Sequence, residues 1–381
     1  MMMLNKEQLE IQKAARKFAE GEFRPIAQEL DADCRFDERL WEKAAELGFL
    51  AVFLPEAYEG LGLGYFEQCL ILEEFARVDL SITHSIESTF FGTQLIDLIG
   101  TAEQKQKYLP PICCGRMKMG MAITEPNAGS DVSAVSTEAC RQGDEYVING
   151  GKVFITNCQR ADFLVVLCVT DPGNPKVHKR FSTIIVETDR EGYEATPYHG
   201  KLSLRGSETG DAVFKNVRVP AANLLGEEGR GFYNIMAFFD RTRVEVSALS
   251  VGTAQGALDK AIAHVRQREQ FGRPLAAQQL VQGKIAEMAT KTETARSICY
   301  RAAAQIDTGK ADPALSSMAK WYCAQVAVQV ADEAIQLHGG YGILEEYGVA
   351  HYWRNAKVLE IFEGSKEVEK IIIAKKLLGK Y

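Results

Sequence analysis

The sequence lacks the patterns by which several common classes of protein are recognised. It contains no Cys-x-x-Cys pair, and its nine cysteines are scattered apart from the adjacent Cys113 and Cys114. An odd number of cysteines gives no closed set of disulfides, so we predict a reducing compartment and no metal site. No run approaches the roughly 18 uninterrupted apolar residues that a membrane helix needs. We therefore expect a cytoplasmic protein without membrane spans.

An excess of basic residues is also absent. Lysine and arginine together number 44 against 51 acidic residues, which gives a net charge of −7. General binding to nucleic-acid backbones needs a basic surface, so we expect no nucleic-acid partner. Residues 1–10 contain no basic segment followed by an apolar core, and Glu7 and Glu10 are atypical of a transit peptide. No targeting segment is therefore predicted.

Three regions of different periodicity make up the chain of 381 residues. Apolar residues first recur at helical spacing, then alternate in short β-rich runs, and finally return to helical spacing. We predict an α+β protein with an N-terminal all-α domain over 1–117, a middle β-barrel or sandwich over 118–231 and a C-terminal four-helix bundle over 232–381. Within the first region the predicted helices include 38–47, 65–77, 83–98 and 102–109.

Turn-forming residues separate the predicted strands of the middle region. Asn149-Gly150-Gly151 is one such turn, and Asp171-Pro172-Gly173-Asn174 is another. The predicted strands are Met119–Thr124, Glu145–Asn149, Val153–Thr156, Phe163–Val169, Ser182–Glu187 and Ala212–Val219. The glycine run over 60–64 reads Gly-x-Gly-x-Gly without a preceding strand or a correctly placed third glycine, so it predicts a turn rather than a dinucleotide-binding loop.

Six motifs follow one another in a fixed order across these regions. They are the segment 122–131 (AITEPNAGSD), the segment 152–157 (KVFITN), the segment 268–272 (REQFG), Gln279, the segment 336–342 (QLHGGYG) and the segment 361–365 (IFEGS). In order and spacing this series resembles the acyl-CoA dehydrogenase family over essentially the whole chain, with the short- and medium-chain or cyclic acyl-CoA enzymes as the most similar branch.

The resemblance implies an FAD cofactor held at two places. Taken alone, Thr124 and Thr156 would be ordinary strand threonines and Phe154 a core phenylalanine. Gly339-Gly340 would be an ordinary helix C-cap. By resemblance, FAD contacts come from Ile123, Thr124, Ser130, Phe154, Thr156, Ser365 and Glu367. A second set, reaching the FAD of a neighbouring subunit in a homotetramer built as a dimer of dimers, is Arg268, Gln270, Phe271, Gln279, Gln336, Leu337, His338, Gly339 and Gly340.

Glu363 is the predicted catalytic base. The α-proton of a thioester is a weak acid, so its base should titrate near neutral pH in an apolar pocket, which Ile361, Phe362 and the flavin supply. The resemblance implies that the protein oxidises an acyl-CoA to the enoyl-CoA. A minority of the family takes its base from the position of Thr242, which cannot serve as one. Substrate contacts are predicted for Ser130, Asp240, Arg243 and Gly364.

Glu87 lies where the medium-chain enzyme has a glutamate at the closed end of its acyl cavity. Two roles stay open for it. It is either a pocket-floor residue that limits acyl length, or a second acid/base that takes a proton from a remote ring carbon of a cyclic substrate. Short- or medium-chain and six-membered alicyclic acyl-CoAs are therefore the expected substrates, and a carboxylate-ended group such as glutaryl is disfavoured.

The resemblance also implies a protein partner and leaves rival functions open. Leu61 and Leu63 match leucines that anchor the electron-transferring flavoprotein, although packing of the loop on the core explains them equally well. The rivals are an acyl-CoA oxidase or flavin oxygenase of the same fold, a flavin-containing nucleic-acid-binding homologue, and a noncatalytic structural homologue. Because the chain ends at Tyr381, soon after the catalytic motif, we expect neither the extra domain of the oxidases nor the basic region of the nucleic-acid-binding branch. Asn355 replaces an aspartate common in the family, so an ion pair with Arg354 is expected to be lost.

Overall fold

The fold is taken from a computed structural model that describes residues 4–379. Residues 1–3, which belong to the targeting prediction, and residues 380–381 lie outside the described part. Within residues 4–379 no helix is both long and apolar enough to cross a membrane. Helices come first, strands follow, and helices return, in the order α then β then α.

The first region is a cluster of short helices, several of which begin at side-chain caps. Asn5 and Gln8 form a reciprocal capping box at the start of the first helix, and Asp79 accepts a bond from the Ile82 amide at the start of the fifth. The helices are α1 Lys6–Glu22, α2 Ala27–Ala32, α3 Glu38–Glu46, α4 Tyr65–Val78, α5 Leu80–Glu87, α6 Thr93–Ile99 and α7 Ala102–Cys113.

The predicted continuous helix over 83–98 is wrong, because the chain breaks between α5 and α6. The Thr89 hydroxyl donates to the Ile86 carbonyl, and Gly92 adopts a φ of +126°, which only glycine tolerates well. The break has a consequence for the site, since Glu87 becomes the last residue of a helix that ends inside the protein.

The middle region is one eight-stranded mixed sheet. The strands are β1 Met119–Ala122, β2 Glu138–Gln142, β3 Glu145–Thr156, β4 Phe163–Val169, β5 Phe181–Glu187, β6 Tyr193–Pro197, β7 Thr209–Pro220 and β8 Leu224–Leu225. Their hydrogen-bonded order is β6-β7-β3-β2-β4-β5-β8, with β1 paired to β4 in parallel. Buried faces of these strands form their own apolar core around Ile148, Val166 and Phe214.

The turn predicted at 149–151 is instead an irregularity within one long strand, β3. The register against β7 shifts between Ile148 and Gly150, so the strand bends but continues. The Asn149 amide both donates to the Asn216 side chain at 3.1 Å and accepts from the Asn216 backbone at 2.8 Å. These two bonds replace the ladder bonds that the bend removes. Strands β2, β6 and β8 were not predicted, since they are short and alternate weakly.

The last region contains the long helices expected of a bundle, followed by two shorter ones. A two-stranded hairpin separates the first long helix from the second. The elements are α8 Gly231–Gln267, β9 Glu269–Gln270, β10 Arg273–Pro274, α9 Gln279–Asp307, α10 Pro313–His338, α11 Val349–Leu359 and α12 Lys366–Leu378. Buried small and apolar residues of α8, α9 and α10 pack with part of α4 in one core. The C-terminal bundle therefore packs directly against the N-terminal helices.

A buried charge cluster joins α11 to the first region. His351 lies 2.7 Å from an Asp79 carboxylate oxygen and 3.3 Å from an Asp31 oxygen, while Arg354 pairs with Asp31 at 2.6 Å. Burial lowers the pKa of His351, but the carboxylates of Asp79 and Asp31 outweigh it and raise the pKa to about 9. Arg354 thus keeps an ion pair despite Asn355, whose own side chain accepts the Leu204 amide at 2.9 Å.

This cluster predicts a loss of stability at alkaline pH. The folded-state pKa of His351 is raised above its unfolded value near 6.5, so its contribution is complete below that value and disappears as pH rises through about 9. We expect the free energy of unfolding to fall by up to about 3 kcal/mol over this window. Denaturant melts at stepped pH check this for the wild type, for His351→Gln, which should have a flatter profile, and for the exposed control His199→Gln. The prediction would be contradicted if the free energy of unfolding of His351→Gln fell with pH as steeply as that of His199→Gln.

Candidate active site and cofactor cleft

Glu363 stands on the turn between α11 and α12, in a backbone conformation that a side-chain-bearing residue seldom adopts. Its φ is +54°, and Gly364 follows with a φ of +99°. Such outliers concentrate at functional sites, because the surrounding structure must hold them in place. The Thr242 hydroxyl on α8 donates to Glu363 Oε2 at 2.8 Å, which directs the carboxylate along that helix.

Three buried charged side chains hold this turn from behind. Lys320 of α10 donates its Nζ to the Gly364 carbonyl at 2.5 Å, and Arg243 Nε lies 3.0 Å from Glu369 Oε1 and 3.3 Å from the Glu363 carbonyl oxygen. Gly364 suits this turn because residues with a side chain rarely adopt its φ, and an added Cβ would also displace the Glu369 carboxylate. Neither Lys320 nor Glu369 belongs to one of the six motifs, so neither was predicted as a site residue. The otherwise apolar stretch around residue 320 does indicate that this lysine is buried.

The surroundings give Glu363 a pKa suited to a base at neutral pH. Burial raises the pKa to about 7, against the Thr242 hydrogen bond and the charges of Arg243 and Lys320, which lower it. Burial likewise lowers the pKa of Lys320 to about 8. A carboxyl group that titrates near 7 combines adequate basicity with a useful fraction of the ionised form.

Replacing Thr242 should move the pH dependence of the reaction. Thr242→Val removes a hydrogen bond to the ionised carboxylate, so the pKa of Glu363 should rise by about one unit. In kcat/KM against pH, the ascending limb, near 7 in the wild type, should move upward while the high-pH plateau changes little. Thr253→Val is the matched control, because Thr253 also lies buried on α8 and bonds back to a carbonyl four residues earlier. An unshifted limb in Thr242→Val would contradict the assignment.

Two further carboxylates lie on the elements that face Glu363. Glu245 is fully buried on α8, one turn beyond Thr242, and the Gln94 amide donates to its two oxygens at 2.9 Å. Burial raises the pKa of Glu245 to about 8, and burial with the charges of Glu245 and Glu363 raises that of Glu87 well above its usual range. Glu87 was predicted from the family resemblance. Glu245 was not, because nothing in the neighbouring sequence distinguishes it from the other residues of a helix.

The strand edge predicted to meet the flavin is assembled as expected. The Val153 amide donates to the Thr124 carbonyl at 2.9 Å, which sets segment 123–124 beside segment 154–156. The register of β3 shifts again between Lys152 and Ile155, and there Phe154 takes a φ of +59° with 68% of its surface exposed. A large ring held open to solvent at a strained position is a suitable cover for a flat cofactor.

A buried ion pair stiffens this edge. Lys152 is 1% exposed and donates to the Ile123 carbonyl at 3.0 Å and to Glu125 at 2.8 Å. Glu125 also accepts the backbone amides of Ser136 and Thr137, so one carboxylate closes the loop that carries the exposed Ser130. The pair spares the edge the cost of a lone buried charge.

The second predicted set converges on a cleft where α8, β9 and α10 end. The cleft has a volume of about 560 Å³, and its lining includes Arg268, Gln270, Gln336, Leu337, His338, Gly339 and Gly340. A Cβ added at either glycine would meet nothing within 4 Å among the described residues, so a ligand can approach the backbone there. Phe271, in the adjoining hairpin, and Leu280, beside Gln279, are 91% and 86% exposed.

The remaining predicted residues have more ordinary settings. Ser365 caps α12 by accepting the Val368 amide at 3.5 Å, and Glu367 is exposed on the first turn of that helix. Asp240 is partly buried, with its carboxylate 3.4 Å from Arg243 Nη1. Among the described residues no group of three or more metal-ligating side chains is close enough to hold an ion.

Comparison with known proteins places the whole chain in one family. Family models of the acyl-CoA dehydrogenase N-terminal, middle and C-terminal domains match residues 5–116, 120–217 and 229–378. Acryloyl-CoA reductase (NADH) of Anaerotignum propionicum is 40% identical, over 98% of this chain and 95% of its own. The caffeyl-CoA reductase–Etf complex subunit CarC of Acetobacterium woodii is 38% identical, over 97% and 98%. Butyryl-CoA dehydrogenase from Megasphaera elsdenii superposes with a TM-score of 0.96 at 35% identity, over 99% and 100%.

The chain therefore belongs to the acyl-CoA dehydrogenase family of FAD-dependent oxidoreductases. The predicted family, fold class and cofactor are confirmed. The structure is compatible with FAD at both predicted places, because it offers an exposed ring beside a strand edge and an open cleft that contains an arginine. The individual contacts and the domain boundaries at 117 and 231 stay predictions.

Proposed function

We propose that the protein oxidises the Cα–Cβ bond of an acyl-CoA thioester, with Glu363 as the base that removes the α-proton. The observation that carries this proposal is the Glu363 turn itself: a carboxyl group with a pKa of about 7, aimed by Thr242 and held by Arg243, Lys320 and Glu369. FAD, when bound, accepts the hydride that leaves the β-carbon. Negative charge develops on the thioester oxygen. The backbone N–H of Glu363, on a turn that Gly364 permits, donates a hydrogen bond to that oxygen and stabilises the charge.

The same residues serve the reverse reaction equally well. Protonated Glu363 would return a proton to the α-carbon of an enoyl thioester while hydride reaches the β-carbon. Two of the relatives are named as reductases of unsaturated acyl-CoAs, which supports this direction as an alternative use of the site. The physiological electron donor or acceptor then decides the direction.

Removing the base should abolish the chemistry without unfolding the protein. Glu363→Gln keeps the size of the side chain and should retain FAD, yet we expect flavin reduction by acyl-CoA to slow at least about a thousandfold. Stopped-flow measurement of flavin bleaching under anaerobic conditions checks this, with the exposed Glu346→Gln as control. Bleaching at a near-wild-type rate in Glu363→Gln would refute the assignment.

We propose a short- or medium-chain or six-membered alicyclic acyl group as substrate. Glu87, 2% exposed at the inner end of α5, supports a closed pocket of limited length. Its raised pKa also suits a second acid/base that exchanges a proton with a remote ring carbon. A carboxylate-ended acyl group is disfavoured, because it would add a third buried acid beside Glu87 and Glu245.

A substrate panel separates the two roles of Glu87. Butyryl-, octanoyl-, glutaryl-, cyclohexanecarboxyl- and cyclohexenecarboxyl-CoA are compared on the wild type and Glu87→Gln. If Glu87 is a second base, the substitution should abolish turnover of the cyclohexene substrate and spare simple α,β-dehydrogenation, because only the former needs the remote proton transfer. Equal effects on all substrates leave the pocket-floor role, and a best rate with glutaryl-CoA contradicts both roles.

We propose the electron-transferring flavoprotein as the acceptor, in the cytoplasm. A relative from an Etf complex supports this partner, and the 47% exposure of Leu61 is consistent with a docking role. A closed pocket that keeps out solvent and oxygen should make reaction with air slow. Rapid, stoichiometric hydrogen peroxide formation would instead favour the oxidase alternative.

We also propose a homotetramer in which the Arg268 cleft serves the FAD of a neighbouring subunit. The exposed Phe271 and Leu280 at the cleft support a covering copy, since a second copy would bury apolar surface that the single chain leaves open to water.

Removing Arg268 should weaken retention of FAD. Arg268→Ala deletes a charge-assisted contact to phosphate, so FAD should be lost at least about tenfold more readily on dilution or gel filtration. The ratio of flavin to protein absorbance, with sedimentation to give the assembly, measures both points, and the exposed Arg266→Ala is the matched control. A monomer that retains FAD would contradict the shared site.

A further inference from the structure

Glu87 and Glu245 lie on surfaces that both face the Glu363 turn. On α8, Glu245 shares a face with Thr242 three residues earlier, and Thr242 touches the Glu363 carboxylate. On α5, Glu87 shares a face with His84, whose ring lies 5.7 Å from that of Phe362. The two carboxylates therefore approach the reaction centre from two helices.

The turn between α5 and α6 fixes this arrangement. Phe91 packs edge-on against Phe238 of α8 at 5.3 Å between ring centroids. Gln94 then reaches Glu245 with its amide nitrogen while its oxygen accepts the Gly92 amide at 2.9 Å. One side-chain amide thus links the turn that follows Glu87 to the Glu245 carboxylate on α8, which fixes the two elements relative to each other.

The pair has no counter-charge in the described part of the chain. No lysine, arginine or histidine there bonds to either carboxylate, and Glu87 Oε1 is buried without any hydrogen-bond partner. Burying a carboxylate without a partner is costly, so an incoming group that donates hydrogen bonds and carries positive charge would be strongly favoured. Behind Glu363, by contrast, Glu369 has a cation beside it, because Arg243 Nε lies 3.0 Å from Glu369 Oε1.

We propose that Glu87 and Glu245 recognise a primary ammonium group at the far end of the acyl chain. This inference rests on the proposed function and names the substrate class: ω-amino acyl-CoA thioesters. An ammonium group brings three donors and one positive charge to a site that has unpaired acceptors and no cation. A hydroxyl group supplies one donor and no charge, a methyl group supplies neither, and a carboxylate adds a further buried acid to a site without a cation. The expected order of preference is therefore amine, alcohol, alkyl, acid.

Matched thioesters that differ only at the distal atom test the proposal. 6-Aminohexanoyl-, 6-hydroxyhexanoyl-, hexanoyl- and adipoyl-CoA, with a five-carbon set to vary the length, are offered to the FAD-loaded wild type under anaerobic conditions. We expect kcat/KM for the amino compound to exceed that for hexanoyl-CoA by at least about tenfold, with adipoyl-CoA the poorest. In Glu87→Gln and in Glu245→Gln the ratio of amino to alkyl substrate should fall close to one. The exposed Glu194→Gln should keep the wild-type ratio.

The outcomes distinguish this proposal from the one on which it rests. A wild-type preference for hexanoyl- or adipoyl-CoA over the amino compound, or a ratio unchanged in both variants, overturns the ammonium site while dehydrogenation stands. If no thioester bleaches the flavin, the proposed function fails, and calorimetric binding of the amino and alkyl thioesters tests the site by itself. Equal affinities would then overturn it. Thermal melts of both variants establish that a lost ratio does not reflect a lost fold.

Discussion

The reaction centre depends on one backbone constraint, the left-handed turn that presents Glu363. Without support this conformation would relax, because a residue with a Cβ gains nothing from a positive φ. The support comes from α8, α10 and α12 at once, through Arg243, Lys320 and Glu369. Two long helices and a shorter one therefore meet behind a single carboxylate, and the bundle acts as the frame of the proposed base.

Buried charge is used in two opposite ways on the two sides of that turn. Behind it, the Arg243 guanidinium is paired with Glu369, and this pair fixes the geometry of the turn. In front of it, Glu87 and Glu245 have an amide but no cation, so the same low-polarity interior makes their ionised forms unstable. The site thus combines a rigid, neutralised support with an electrostatically unsatisfied pocket. The β-edge repeats the first principle, since the Lys152–Glu125 pair positions Ile123 and its neighbours.

Much of the architecture could be predicted from periodicity, because long helices declare themselves over many turns. The strand predicted over 163–169, for example, has the bounds that the structure gives for β4. The break at 88–92 was missed, since it depends on Gly92 meeting Met119 and Met121 of a distant strand. Weakly alternating strands such as β6 also escaped, because pairing with β7 rather than their own pattern defines them.

The candidate site was also predictable only where the information is local in the sequence. Motifs point to Glu363, Arg268 and the glycines of the cleft, because the residues adjacent to each of them form a recognisable pattern. Lys320, Glu369 and Glu245 were missed because each acts through a partner far away in sequence, and a single charged residue on a helix gives no local sign of that partner. Asn355 was interpreted as a loss, yet Asp31 and Glu345 supply the ion pairs of Arg354 from elsewhere.

The open cleft at the end of α8 has a consequence for how the protein behaves at low concentration. Its lining is accessible in the single chain, and the exposed Phe271 stands at its edge. In the shared arrangement proposed above, cofactor binding and subunit association are linked equilibria, so each stabilises the other by mass action. Dilution would then remove flavin and dissociate subunits together, and added FAD would favour reassembly. A newly synthesised chain would then reach its full affinity for FAD only after it has associated with another copy.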